Sequence, residues 1–144
     1  MAREIVKSTK LSWAKGGAEI IVNTSETLDQ AGSQAIENVQ IIQGTSEAIV
    51  FGDVTAPAHI AFKNLNKKWS ELTAAEKVSA GGVQATYEAA NVVFVGTTNP
   101  TTSADAVYKI YPGSGVNFFQ AITLAWYACK ATDSVDLLVA AIEA

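Results

Sequence analysis

The chain has 144 residues, of which 49% are hydrophobic and 17% charged, and a formal net charge of −4. Its length fits one domain that buries about two thirds of its unfolded surface. The acidic balance argues against a nucleic-acid binder that works by neutralising phosphates, and the single cysteine excludes an intrachain disulfide framework.

Typical domains carry about 25% charged residues. The deficit here implies either little exposed surface or surface that meets a partner. No uninterrupted apolar run approaches the roughly 18 residues of a membrane span. The N-terminal M-A-R-E-I-V has no apolar signal core. A protein made in a cytoplasm, with no membrane partner, is the expectation.

Basic residues concentrate early, at Arg3, Lys7, Lys10 and Lys15. They read either as the solvated face of a first strand or as an arm resting on an acidic partner. Residues 4–13 alternate as a strand, with Ile5, Leu11 and Trp13 on the face shared by Lys7 and Thr9. Neither face is clean, which suits an edge strand or an arm. Lys15-Gly16-Gly17 signals a turn and residues 18–23 a compact second strand. Residues 24–34 are polar and read as a loop or a single helical turn, since Thr27 and Gln30 have capping-box spacing.

Residues 36–43 and 47–51 flank Gly44-Thr45-Ser46 and predict a hairpin. Residues 58–65 place Ala58, Ile60 and Phe62 on one face and His59, Ala61 and Lys63 on the other, the pattern of a half-buried strand. The β rhythm then breaks. Thr73 and Glu76 form a capping box and Gly81-Gly82 a stop, so a helix of about two turns is predicted over 74–80, docked through Trp69, Leu72 or Val78. Residues 67–90 form an excursion between sheet strands, with residues 83–87 adding a strand of their own.

Residues 91–96 are apolar on both faces and predict a central strand. Residues 97–106 form a polar loop around Asn99-Pro100. Residues 107–143 then hold three or four strands, punctuated by the turn Pro112-Gly113-Ser114-Gly115. Ile122, Leu124 and Trp126 are bulkier than Thr123 and Ala125 and should face the core. The expected fold is all-β: a β-sandwich or jelly-roll-like domain with one short helix in an inserted excursion. Residues 1–17 are read as an N-terminal strand or arm, and residues 18–144 as a single sandwich domain.

No catalytic constellation emerges. A nucleophile needs a base within reach, and the only histidine, His59, sits on a strand face with Ala61 and Lys63, where a surface imidazole is the plain reading. Cys129 lies among Tyr127, Ala128 and Ala131 and reads as a buried, inert thiol. One His and one Cys do not make a zinc site. Asp53, Asp105, Asp133 and Asp136 are scattered through turns, unlike a calcium loop. Gly113 and Gly115 precede more strand, so they serve turn geometry rather than a phosphate. Trp13 and Trp69 are conceivable carbohydrate platforms, with packing as the default for both. An enzyme is not expected, and neither is a cofactor or a metal.

From residue 36 onward the order of features resembles a group of small structural proteins of tailed-phage virions. The elements are residues 39–44, 47–53, Phe62-Lys63-Asn64-Leu65-Asn66, 92–96, 107–113, 124–128 and 137–143. The chain departs from that pattern at Asn66, where the family places Asp, and in the excursion over 67–90. The resemblance implies a capsid decoration or cement protein, β-rich and homo-oligomeric with a trimer favoured, whose partner is the major capsid protein on the head surface. Candidate partner-binding residues are then Arg3, Lys7, Lys10 and Trp13 of the N-terminal segment, and Trp69 and Leu72 of the excursion. The alternatives are another virion part (tail, connector or coat component) or a carbohydrate-binding β-sandwich module.

Overall fold

In the computed structural model the chain divides into two compact units, Met1–Ser33 and Gln34–Ala144. It describes residues 3–15, 18–30, 34–55, 57–97, 100, 106–119, 126–130 and 134–143. The first unit is one antiparallel hairpin of β1 (Arg3–Lys15) and β2 (Ala18–Gln30), in register from Arg3↔Gln30 to Lys15↔Ala18.

The second unit is a sandwich of two four-stranded antiparallel sheets. Its strands are β3 (Ala35–Ile42), β4 (Glu47–Ala48), β5 (Pro57–Asn64), β6 (Val93–Gly96), β7 (Tyr108–Ile110), β8 (Gly115–Phe119), β9 (Tyr127–Lys130) and β10 (Val135–Glu143). One sheet runs β3-β10-β5-β8 and the other β4-β9-β6-β7. Among these strands, only β6 and β7 are neighbours both in sequence and in a sheet.

Alternation builds the core. Ile60 and Phe62 of β5 and Val135, Leu137, Val139 and Ala141 of β10 meet Val93 and Val95 of β6 and Ala128 of β9. Trp126 joins them, its ring tilted on Phe62 at 6.1 Å and stacked on Tyr108 at 6.0 Å. β6 lies between β9 and β7 and is buried on both faces, as its unbroken apolar run predicted. Its Phe94 turns to the opposite face and packs with Val92 and Cys129, so the thiol is buried. Ile122 and Leu124 lie outside the described residues, as do Gly16, Gly17, Asn99, Asp105 and Asp133.

The excursion between β5 and β6 holds a 3-10 turn (Trp69–Glu71), α1 (Ala74–Ser79) and α2 (Gln84–Asn91). A cluster of asparagines ties it to the sandwich. Fully buried Asn64 donates from Nδ2 to the carbonyls of Asn91 (2.7 Å) and Ile110 (3.1 Å) and accepts from the Asn66 N–H (3.0 Å). Asn66 in turn donates to the Asn91 side chain at 2.8 Å. The Tyr111–Ser114 turn closes on the same node: Ser114 N–H donates to the Tyr111 carbonyl and Gly113 N–H to that of Asn64. Pro112 followed by Gly113 at φ 68° is what a type II turn requires.

Four expectations are corrected. The domain boundary falls after Ser33, not after residue 17, because β2 pairs with β1 along its whole length. Residues 24–30 accordingly continue β2 instead of forming a loop or helical turn.

Residues 36–51 are no hairpin, since β3 and β4 belong to different sheets. Side-chain amides replace the ladder between them. Gln40 donates to the Ala48 carbonyl (2.9 Å) and accepts from the Val50 N–H (3.1 Å), while Asn38 donates to the Val50 carbonyl. β4 itself pairs with β9 of the second sheet, and Ile49 N–H donates to the Trp126 carbonyl.

The excursion has two helices, not one. Residues 84–87, expected as strand, open α2, because Gly81 and Gly82 at φ 84° and 71° reverse the chain after α1. Gln84 then reaches Glu88 at i+4 (2.7 Å), and Asn91 donates back to the Tyr87 carbonyl.

Candidate partner-binding surfaces

The hairpin combines two mixed strands into one asymmetric ribbon. Cross-strand partners share a face, so the register puts Ile5 with Leu28, Lys7 with Glu26, Leu11 with Val22 and Trp13 with Ile20. Those pairs place Ile5, Leu11, Trp13, Ile20, Val22 and Leu28 on one face, together with Arg3, Lys7, Lys15 and Glu26. The other face takes Glu4, Ser8, Lys10, Ser12, Asn23, Ser25 and Asp29, with Val6 and Ile21 as its large aliphatics. Val22, on the first of these faces, remains 47% exposed.

Charge is divided by strand. β1 carries Arg3, Lys7, Lys10 and Lys15 against Glu4 alone, whereas β2 carries Glu19, Glu26 and Asp29 and no cation. The hairpin is therefore neutral in total, and the whole net charge of −4 belongs to the rest of the chain.

In the excursion the side chains form a small layer of their own. Trp69 packs on Tyr87 with ring centroids 5.7 Å apart, and the Lys77 ammonium sits 5.6 Å from the Trp69 centroid. The indole is therefore engaged in packing and is no open sugar platform. The Tyr87 hydroxyl donates to the Lys67 carbonyl at 2.7 Å. Half-buried Leu72 lines a shallow groove of about 540 Å³ between α1 and α2, with Ala75, Ala80, Tyr87 and Ala90. No residue of the three helical segments is fully buried, and Val78 is 76% exposed.

One electrostatic knot holds the start of α1. The capping box is present: Glu76 N–H donates to the Thr73 hydroxyl and Thr73 N–H to the Glu76 carboxylate. Lys67 adds an ammonium 2.6 Å from that carboxylate. Lys67 first, then the N–H and side chain of Thr73, hold Glu76 down to about 2 from an ordinary 4.5. The same hydrogen bond raises Lys67, and burial raises Tyr87.

Because the folded value of Glu76 lies below the unfolded one, its contribution is complete above about pH 4.5 and disappears as pH falls through about 2. An acid-induced change in tryptophan fluorescence is expected across that window in the wild type and not in Glu76→Gln. Superimposable titrations of the two proteins would contradict it.

The sandwich also leaves aliphatic residues uncovered. β3 is an edge strand, and its outward Val39 and Ile41 are 52% and 56% exposed. Val39 pairs with half-buried Leu138 of β10, which extends the patch inward across the sheet.

The six sequence-predicted residues thus fall in separate units. Arg3, Lys7, Lys10 and Trp13 occupy β1, where their backbone positions are described, and Trp69 and Leu72 sit half-buried in the excursion. Sequence reasoning missed the β2 half of the ribbon (Ile20, Val22, Glu26 and Leu28), whose signal appears only when the two strands are set in register. It also missed Asn91, which no motif marks. Among the described residues no group of three or more His, Cys, Asp or Glu could hold a metal, and no helix is long and apolar enough to cross a membrane. No protein-family model, curated protein or solved structure matches the chain.

Proposed function

We propose that the protein is a structural component of a tailed-phage virion, a decoration protein that binds the major capsid protein on the outside of the head. The observation that carries this reading is apolar surface left open on both units of a charge-poor chain: Val22 on the hairpin, Val39 and Ile41 on the sandwich edge, and Val78 on the excursion. Such surface serves assembly. The order of motifs from residue 39 to residue 143 supports the phage assignment. A protein that stabilises a shell needs contacts and no reaction chemistry.

The shell-facing element in this reading is the excursion. Its helices project small and aliphatic side chains around the Leu72 groove, and its three lysines (Lys67, Lys68 and Lys77) are balanced by Glu71, Glu76 and Glu88, so the contact is chiefly apolar. The test is cosedimentation of the purified protein with heads assembled from the major capsid protein encoded in the same genome. Saturable binding is expected, weakened at least tenfold by Val78→Asp with Leu72→Asp. Absence of binding to such heads would overturn the reading.

A further inference from the structure

We propose that β3 is a dimerisation edge, pairing antiparallel with β3 of a second copy so that two four-stranded sheets become one continuous sheet. The inference rests on main-chain geometry and does not depend on the virion reading. Hydrogen bonds fix which groups of β3 face outward. The Glu143 N–H donates to the Gln34 carbonyl at 2.9 Å, one step beyond the pair Ala35↔Ile142. In an antiparallel ladder, opposed residues that bond alternate with opposed residues that do not. Ile36, Asn38, Gln40 and Ile42 therefore bond to β10, whereas Ala35, Glu37, Val39 and Ile41 turn N–H and C=O to the outside. The Leu65 N–H on the Asp136 carbonyl gives the same phase from the β5 side. Among the described residues nothing pairs with those outward groups. The open run ends at Gln43, whose N–H donates to the Glu47 carboxylate and whose carbonyl accepts from the Lys130 N–H.

The strand itself selects the occupant. A row of unpaired main-chain groups is a template for another strand, and proteins blunt it with short edges, Lys or Pro. The other edges of the sandwich follow that rule: among the described residues β8 has five, β7 three and β4 two. β3 has eight, Ala-Ile-Glu-Asn-Val-Gln-Ile-Ile, with no Lys, Pro or Gly, and its Val39 and Ile41 are more than half exposed. The occupant has to be an equally undefended strand of matching length, and every further copy of the chain supplies one. A two-fold axis at Asn38 matches the open run end to end. Ala35 then faces Ile41 of the second copy and Glu37 faces Val39 of the second copy, each pair occurring twice. All outward residues of both strands bond, and the two Glu37 carboxylates are kept apart.

The experiment uses the full chain, with solution mass read by light scattering at about 50 µM, a concentration that populates dimers of micromolar affinity. The wild type is expected at twice the 15.1 kDa of one chain. Val39→Glu sets two like-charge pairs against Glu37 across the axis and should weaken association at least tenfold. Val39→Lys sets two opposite-charge pairs there and should keep the dimer. Amide exchange at Glu37, Val39 and Ile41 should be as slow as at Asn38 and Gln40 in the wild type. In Val39→Glu it should be at least tenfold faster at Glu37 and Ile41. A monomeric wild type would overturn the proposal, and so would a trimer, because a three-fold axis never sets a strand against its own copy. Val39→Glu that keeps the dimer mass would overturn it too. Equal loss of mass in both variants would do the same, marking a contact through side chains instead of the strand edge. Dimers that do not bind heads would remove the decoration reading and leave this one standing.

Discussion

Replacing Asn64 by Asp is expected to be the most damaging isosteric change in the sandwich, costing about 3–5 kcal/mol at neutral pH. The side chain is fully buried, and its Nδ2 satisfies two carbonyls from different elements, Asn91 at the end of α2 and Ile110 at the end of β7. A carboxylate there has no proton to donate, so three oxygens would face one another without water. The penalty reaches the node that anchors the excursion and the Tyr111–Ser114 turn together. Acid should narrow the gap to the wild type, because a protonated carboxyl donates again to one carbonyl. Urea denaturation of both proteins at neutral and mildly acidic pH checks this. A difference below about 1 kcal/mol, or one that widens on acidification, would show that Asn64 does not hold the node.

Phe62→Ala is expected to cost about 3–5 kcal/mol, a large part of the 5–15 kcal/mol that stabilises an ordinary domain. Phe62 is 1% exposed and stands between β10, β8 and the Trp126 ring. Its removal leaves a cavity that the rigid β5–β10 ladder cannot close. It also strips Trp126 of an aromatic neighbour, so a shift in tryptophan emission should accompany the loss of stability. Phe62→Leu should recover more than half of the cost. A stability unchanged by Phe62→Ala would place the core elsewhere.

The parts of the fold legible in the sequence were those decided by local pattern. Residues 58–64 alternate cleanly, residues 93–96 are apolar throughout, and Thr73 with Glu76 announces a helix start that the hydrogen bonds bear out. What was not legible depended on partners distant in the chain. β1 looked mixed because its apolar residues make sense only beside Ile20, Val22 and Leu28. The 36–51 hairpin failed because Gln40 and Asn38, polar in any pattern, satisfy the backbone of 48–50 with their side chains and release β4 to the other sheet.

Likewise Val83, Thr86 and Tyr87 favour strand by type, yet the segment from 84 is helical. The glycine pair before it, the Gln84–Glu88 contact and the Tyr87 hydroxyl on the Lys67 carbonyl outweigh that preference. For the candidate surfaces, residue type was readable and grouping was not. Trp69 and Leu72 drew notice as apolar residues in a polar stretch. Only the structure showed that Trp69 is spent on Tyr87 and Lys77 while Leu72 and Val78 remain open to a partner.

The most direct test of the central claim is location on the particle, by gold-labelled antibody against the purified sandwich unit applied to intact virions. Label distributed over the head surface is the predicted result. Label confined to the tail, or particles that lack the protein altogether, would contradict a role in decorating the shell.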